Sequence, residues 1–262
     1  MFKAITSAHN PVIKLVLGLK KKSQKDLALV EGAPIMERAL KAGFSFTHLL
    51  FNEDANLKPY QKIFNTLKKQ AEICSVSPQL FSKLTFGDTK EDVVGICKTK
   101  YLSLNDLGKG KGALFFVVLE SLEKPGNLGA ILRTADAAGV SGVIVCQSQT
   151  HIYNPNVIYA SRGAVFSVPV VVCSNEEARN FFEEEKIHTY GTFVQAQMRY
   201  YNADLRKPCA VIMGREDKGL SSFWQKNSET QVTIPMSGHV DSLNASVSAA
   251  VIIYEAYRQR HT

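Results

Sequence analysis

Three loops in the sequence place glycine, amide and charged side chains directly after runs of apolar residues. The clearest lies between Gln231 and Ala250. There a short β-like run ends at Pro235, a polar loop follows, and a helix of small residues begins at Ser242-Leu243-Asn244. The first turn of a helix leaves several backbone N–H groups unpaired, and such groups bind ligands that carry acceptor atoms. We therefore expect this stretch to contact a ligand.

The second loop follows the apolar run 113–119 and contains Gly126-Asn127 before a predicted helix over 128–138. Its position makes Asn127 a candidate N-cap of that helix, and Arg133 lies about two turns further along. Taken alone, this pattern is more typical of an ordinary surface turn with a solvated arginine.

The third loop begins where the apolar run 209–213 meets Gly214, and it continues through Glu216 to Gly219. A glycine at each end lets the backbone approach a ligand closely and then turn sharply into a helix. Glu216 supplies a carboxylate between them, which predicts an acceptor of hydrogen bonds in the site.

Several other kinds of site are disfavoured by the sequence. The phosphate-binding pattern GxxxxGK[ST] and the dinucleotide-binding pattern GxGxxG are both missing. His239, Asp241 and Ser242 have the residue types of a hydrolase triad, but contiguous loop residues rarely reach that geometry and the GxSxG pattern is missing. The five dispersed cysteines form no CxxC pair, which predicts neither a metal site nor disulfides and favours a reducing, cytoplasmic compartment.

The elements that must position these loops follow from apolar runs and breaker residues. Strands are predicted over 27–32, 46–51, 72–76, 93–99, 113–119, 142–146, 168–172, 188–193, 209–213 and 231–235. Helices are predicted over 3–25, 33–42, 57–70, 78–84, 128–138, 154–162, 175–185, 219–226 and 244–260. This alternation predicts an α/β protein, with a parallel sheet in its C-terminal part and ligand loops at the carboxyl ends of the strands.

Charge and composition divide the chain. Residues 1–110 hold 17 Lys and Arg against 10 Asp and Glu, whereas the remaining residues hold 14 of each, so the whole net charge of +7 lies in the first part. A basic module beside a neutral one indicates nucleic-acid binding. We predict a small α/β RNA-binding domain over 1–104, a glycine-rich linker over 105–112 and a second domain over 113–262. No apolar run is long enough to span a membrane.

Together the three loops resemble those of the SpoU (TrmH-like) branch of the SPOUT RNA methyltransferases. The first motif runs from Asn127 to Arg133-Thr134-Ala135, the second from Met213 to Leu220, and the third joins Ile234-Pro235-Met236 to Ser242-Leu243-Asn244-Ala245-Ser246. They occur in the family's order and at its usual separations. Two further cues, the segment Ser7–Lys14 and Val30-Glu31-Gly32, are similar to the substrate-binding domain that precedes many members, although this second match is weaker.

The resemblance implies methyl transfer from S-adenosylmethionine to a ribose 2′-hydroxyl of RNA, with ribosomal RNA our first choice and transfer RNA our second. It also implies a deep trefoil knot in the C-terminal domain and a homodimer. Carried over by position, the cofactor-binding residues are Gly214, Ile234, Met236 and Leu243, with Thr192 a weaker candidate. The candidate catalytic residues are Asn127, Arg133, Glu216, Ser242 and Asn244.

Two roles are open for Arg133. Proposals for the family make this arginine the proton acceptor, but a guanidinium group has no acceptor atom while it is charged. The alternative is that Arg133 binds a neighbouring phosphate and orients the hydroxyl, with water or a phosphate oxygen taking the proton.

One departure concerns substrate binding. The family segment that matches residues 154–164 often has a basic residue where Tyr159 stands, and here the arginine is Arg162. Two other readings of the chain are a nucleotide-dependent oxidoreductase on a doubly wound sheet and a non-catalytic RNA-binding relative.

Overall fold

The computed structural model describes residues 2–86, 91–108 and 113–262. Its strands are β1 (Lys3–Ile5), β2 (Leu27–Glu31), β3 (Phe46–Asn52), β4 (Glu72–Val76), β5 (Val93–Lys98), β6 (Phe115–Glu120), β7 (Gly142–Cys146), β8 (Val170–Cys173), β9 (His188–Thr192), β10 (Met198–Arg199), β11 (Cys209–Met213) and β12 (Thr230–Thr233). Its α-helices are α1 (Pro11–Lys21), α2 (Ala33–Lys41), α3 (Gln61–Leu67), α4 (Pro78–Phe81), α5 (Pro125–Ala138), α6 (Pro155–Ala160), α7 (Asn175–Glu184), α8 (Ser222–Asn227) and α9 (Ala245–His261). They form two compact units.

The first unit comprises residues 1–100 and 151–167 and contains a mixed sheet in the order β1-β4-β3-β5-β2. Strands β1, β4 and β3 run parallel, and β5 runs antiparallel to both β3 and β2. The apolar face of α1 (Ile13, Val16 and Leu19) is buried in the core of this unit.

The start of this unit differs from the helix predicted over 3–25. Residues Lys3–Ile5 pair with β4 instead, and α1 begins only at Pro11. The Asn10 side chain accepts a hydrogen bond from the Val12 N–H at 2.9 Å, and proline is well suited to the first helical position. These two residues fix the helix start, so the preceding residues are free to add an edge strand.

The helix predicted over 57–70 is also shorter in the structure, because Lys58–Tyr60 form a 3₁₀ turn before α3.

The second unit comprises residues 101–150 and 168–262. Its sheet has the order β10-β12-β9-β11-β6-β7-β8, and all of the pairs that the structure describes are parallel. The predicted parallel sheet is therefore confirmed, whereas the two-residue strand β10 was not predicted. Every residue of β6 is buried, which is why the sequence shows one continuous apolar run there.

Parallel strands place all of their carboxyl ends at one edge of the sheet. The loops that follow β6, β9, β11 and β12 therefore leave from the same edge, and these include the three loops that the sequence singles out. Helices α5 and α9, which follow the first and the last of these loops, pack against each other.

Residues 151–167 form part of the first unit, although the sequence prediction placed them in the second domain. The Tyr153 ring contacts Phe44 and Phe166, its hydroxyl donates to the Lys100 carbonyl, and α6 packs on β2. The predicted linker over 105–112 lies partly outside the described residues. Within its described part, Leu107 is buried in the core of the second unit.

Candidate functional site

A cavity of about 650 Å³ lies in the second unit, among the segments that follow β9, β11 and β12. Its lining includes all four predicted cofactor-binding residues and the weaker candidate, namely Gly214, Ile234, Met236, Leu243 and Thr192. Ser242 and the first two turns of α9 also contribute, through Ala245 and Ser248. Cavities of this size hold small-molecule ligands or cofactors.

The backbone packed against position 214 leaves room only for glycine. A Cβ atom at this position would lie 2.2 Å from the carbonyl carbon and oxygen of Gly219 and 2.3 Å from the Leu220 nitrogen. The loop closes here through two hydrogen bonds between Arg215 and Gly219, of 3.1 and 2.9 Å. Gly219 itself has a φ of +66°, a conformation that favours glycine. Both glycines therefore shape one tight turn in the wall of the cavity.

Glu216 is the centre of a hydrogen-bonded cluster that joins the three loops. Its Oε1 atom accepts from the side-chain amide of Asn127 and from that of Asn244, both at 2.5 Å, and from the Ala245 N–H at 3.3 Å. Its Oε2 atom accepts from the Lys124 ammonium group at 2.5 Å. The Asn244 amide also donates to Oδ1 of Asn127 at 3.2 Å.

This environment makes Glu216 a fixed acceptor rather than a base. The Lys124 ammonium group, followed by hydrogen bonds from Ala245 and Asn127, lowers the pKa of the Glu216 carboxyl group below its usual value. Both carboxylate oxygens already accept hydrogen bonds. The role that follows from this geometry is to orient the two asparagine side chains.

Asn244, one of the two residues at which the sequence places the start of this helix, is the N-cap of α9. Its Oδ1 atom accepts from the Ser246 N–H at 3.0 Å and from the Ser246 hydroxyl at 2.6 Å. The same side chain thus caps the helix with its oxygen and binds Glu216 with its nitrogen. The amide nitrogen of Asn244 must be the atom that faces Glu216, because a carboxylate can only accept hydrogen bonds.

The predicted cap at Asn127 is wrong. Helix α5 begins at Pro125 with Lys124 as its N-cap, so Asn127 is the third helical residue. Proline favours the first helical position, and this preference sets the helix start two residues earlier than an asparagine cap would. The side chain of Asn127 is thereby released from capping and turns to Glu216.

Arg133 and Ser242 are exposed, and neither takes part in the cluster around Glu216. Within the described part of the chain, the Arg133 guanidinium has no hydrogen bond or ion pair, although α5, which carries it, packs against α9. Arg215, in the loop that follows β11, is by contrast paired with Asp217 at 2.9 Å and with Glu123 at 2.7 Å. An exposed arginine without an intramolecular acceptor is available to an anionic ligand.

Two residues near the cluster were not singled out by the sequence. Lys124 lies 92 positions from its partner Glu216, so no local pattern indicates the pair. Glu120 ends strand β6 and is only 2% exposed. It accepts from the Asn175 side chain at 2.6 Å and from the Ser221 N–H at 2.7 Å, which anchors the far end of the loop that carries Glu216. The sequence does offer one signal for Glu120, because a charged residue at the end of a buried apolar run is unusual.

Residues 2–86, 91–108 and 113–262 contain neither a cluster of metal-ligating side chains nor a membrane-spanning helix. There, no group of three or more His, Cys, Asp or Glu side chains is placed to hold a metal ion. No helix in those ranges combines the length and the apolar character that crossing a bilayer requires.

The fold and the site define an α/β protein whose ligand cavity lies at the carboxyl ends of a parallel sheet. The model of the SpoU rRNA methylase family matches residues 114–254, and the model of the MRM3-like substrate-binding domain matches residues 10–95. The chain therefore belongs to the SpoU methylase family and is an RNA methyltransferase, with a substrate-binding domain before the methylase domain.

Similar proteins match over nearly the whole chain. A putative TrmH family tRNA/rRNA methyltransferase of Bacillus subtilis is 31% identical, over 91% of this chain and 97% of its own length. A crystal structure of an RNA 2′-O ribose methyltransferase is 38% identical with a TM-score of 0.84, and covers 98% of this chain and 99% of its own. An AdoMet-bound rRNA methyltransferase from Sinorhizobium meliloti is 27% identical with a TM-score of 0.90, over 100% of this chain and 99% of its own.

Proposed function

We propose that this protein transfers the methyl group of S-adenosylmethionine to a ribose 2′-hydroxyl group of RNA, with ribosomal RNA as the first candidate substrate and transfer RNA as the second. The observation that carries the proposal is the cluster of Asn127, Glu216 and Asn244 beside the cavity lined by Gly214 and Leu243. One related structure contains bound AdoMet, and another is a ribose 2′-O methyltransferase. Membership in the SpoU family favours this function over the oxidoreductase alternative.

The residues of the cavity fit S-adenosylmethionine. Leu243, Ile234 and Met236 supply apolar contacts, and the backbone around Gly214 supplies polar groups at close range. When bound, this cofactor supplies an electrophilic methyl group on a sulfonium. The fixed turn at Gly214 and the fixed helix start at Asn244 give the pocket its shape before any ligand enters.

The acceptor side is formed by the amide cluster and Arg133. Catalysis of a methyl transfer depends on holding the attacking oxygen close to and in line with the methyl group. We assign Asn127, Asn244 and Ser242 to the ribose, with Glu216 holding the two amides in one orientation. Arg133 binds the adjacent phosphate and orients the hydroxyl, and water or a phosphate oxygen takes the proton. This role does not require Arg133 to lose its own proton.

The knot and the dimer belong to the same proposal. Strand β11 lies between β6 and β9, and three separate segments of the chain meet at one cavity, which is the arrangement expected if the loops thread through one another.

Helix α9 exposes Val247, Tyr254 and Tyr257, and an apolar face of this kind fits a second copy of the chain. We expect a cytoplasmic homodimer.

The RNA substrate is tested with RNA from cells that lack the protein. Purified protein and labelled S-adenosylmethionine are added to separated ribosomal and transfer RNA, and the 2′-O-methyl nucleosides are then mapped. We expect incorporation at one position of ribosomal RNA. Incorporation only into transfer RNA would reassign the substrate, and cofactor binding without any incorporation would favour the non-catalytic relative.

A further inference from the structure

We propose that Tyr159 and Arg162, in the first unit, form a binding site for an unpaired nucleobase of the RNA substrate. This inference rests on the proposed function, because it takes RNA to be the ligand. The two side chains lie three positions apart, at the end of helix α6, and the Arg162 guanidinium lies 5.3 Å from the centre of the Tyr159 ring. Tyrosine and arginine side chains stack on bases whatever their sequence, because every base has a π-face.

Both members of the pair face solvent. Tyr159 is 40% exposed, and Arg162 is exposed as well. Within the described residues, the Arg162 guanidinium has no carboxylate partner, so its charge is not neutralised inside the protein. An exposed aromatic ring beside an unneutralised cation has the two properties that a single-stranded RNA contact needs.

The backbone at Arg162 adopts a conformation that this residue type rarely takes. Its φ is +52°, in the left-handed region, where an L side chain crowds its own backbone. Glycine would relieve this strain, and the next residue, Gly163, also has a positive φ of +80°. An arginine that keeps a strained backbone at an exposed position points to a use for its side chain.

The segment that carries the pair is rigid. Ile158 and Ser161, which lie between and beside the two residues, are each only 1% exposed, and the Ser161 hydroxyl donates to the Ile158 carbonyl at 3.0 Å. A Cβ atom at Gly163 would lie 3.0 Å from Ile35 and 3.4 Å from Cδ of Arg38, so this corner packs directly against α2.

Charge favours RNA as the occupant. Residues 1–110 hold the whole net charge of +7, and residues 10–95 match a substrate-binding domain. Because residues 151–167 belong to the same compact unit, the Tyr159–Arg162 pair adds an aromatic contact to a basic unit. Affinity for nucleic acid comes largely from such charge, and stacking adds contacts to the bases.

The test compares two substitutions that relieve the same backbone strain. Arg162→Gly removes a cation from a residue whose backbone is left-handed. Lys186→Gly also removes a cation from such a residue, because Lys186 is exposed and has a φ of +55°. The probe is a labelled, single-stranded, mixed-sequence RNA, with the intact chain and without cofactor. Arg162→Gly is expected to weaken RNA binding about fivefold or more, at a melting temperature no lower than that of the unsubstituted chain. Lys186→Gly is expected to leave RNA binding unchanged.

Tyrosine variants separate stacking from charge. Tyr159→Leu is expected to lose RNA affinity to a similar extent, whereas Tyr159→Phe keeps the ring and is expected to bind normally. Equal binding by the unsubstituted chain, Arg162→Gly and Tyr159→Leu would overturn this site while leaving the proposed function intact. Equal losses in Arg162→Gly and Lys186→Gly would overturn it as well, because charge alone would then explain the effect. If the unsubstituted chain bound S-adenosylmethionine but no RNA, the site and the RNA substrate would both be wrong.

Discussion

At the scale of single residues, Glu216 explains how three distant parts of the sequence act together. Its Oε1 atom binds Asn127 and Asn244, and its Oε2 atom binds Lys124. Polar side chains in such a network fix one another, and the removal of one partner leaves a polar group without one of its hydrogen bonds. The side chains that we propose to contact the substrate are therefore held by a residue whose own role is positional.

Arg133 is predicted to matter for methyl transfer and not for cofactor binding. Arg133→Ala removes the group that holds the phosphate and orients the hydroxyl, so single-turnover transfer is expected to fall by roughly 100-fold or more. The affinity for S-adenosylmethionine is expected to be unchanged in calorimetry. Arg179→Ala is the control, since it removes a half-buried arginine that pairs with Glu183 on α7, away from the residues that line the cavity. Transfer near the unsubstituted rate by Arg133→Ala would remove this residue from the mechanism.

Lys124 is predicted to set the lower pH limit of activity through Glu216. The ammonium group is the largest cause of the lowered pKa of Glu216, whose ordinary value is 4.5. The Glu216 interactions are therefore intact above about pH 4.5 and are lost as the pH falls through the lowered pKa. In Lys124→Met the pKa rises towards its ordinary value, so the loss of methyl transfer on acidification is expected at higher pH.

The pH dependence of single-turnover transfer measures this effect. Glu216→Gln is the companion variant, because it has no carboxylate to protonate and should be slow at every pH. If methyl transfer by Lys124→Met and by the unsubstituted chain fell over the same range of acidic pH, Lys124 would not control the charge of Glu216.

At the scale of elements, much of the arrangement follows from the sequence. Strands β7 and β11 were predicted with their observed bounds, because each is a fully buried apolar run bounded by polar, proline or glycine residues. Strand β1 was missed because it has three residues, of which only Ile5 is buried. The Asn127 cap was misplaced because Pro125 competes for the helix start. The pairing of Lys124 with Glu216 depends on the tertiary fold, and no local pattern could reveal it.

The turn at Gly214 is predicted to be essential for the cofactor pocket. Gly214→Ala would place a methyl group 2.2 Å from the Gly219 backbone, so the loop must move and its cavity-lining groups with it. We expect affinity for S-adenosylmethionine to fall at least about tenfold, measured by calorimetry, with the fold of the sheet retained by circular dichroism. Gly238→Ala is the matched control, since nothing lies within 4 Å of a Cβ at that position. Equal affinities in the two variants would contradict the role given to the turn.

At the scale of the whole molecule, the chain combines a basic unit and a neutral one. The positive charge lies in the part that matches a substrate-binding domain, and the cavity lies in the part that matches the methylase. The charge of the sequence predicted nucleic-acid binding by the N-terminal part, and the model of a substrate-binding domain matches there. The proposed knot follows from the family resemblance and not from local residues, because almost all protein connections avoid threading.

Helix α9 is predicted to form the contact between two copies of the chain. Light scattering is expected to give twice the 28.9 kDa mass of one chain. Tyr254 is 49% exposed on this helix, and Tyr254→Glu places a charge that an apolar contact cannot accommodate. This variant is expected to be monomeric. A monomer before substitution, or a dimer that Tyr254→Glu leaves intact, would contradict the proposed interface.

The position of the transferred methyl group tests the central claim most directly. RNA that has reacted with the protein and labelled S-adenosylmethionine is digested to nucleosides, and mass-spectrometric fragmentation locates the added methyl group. We predict that the methyl group lies on the ribose, and that Arg133→Ala yields little of this product. A methyl group on the base, or no methylated nucleoside from an RNA that the protein binds, would contradict the account.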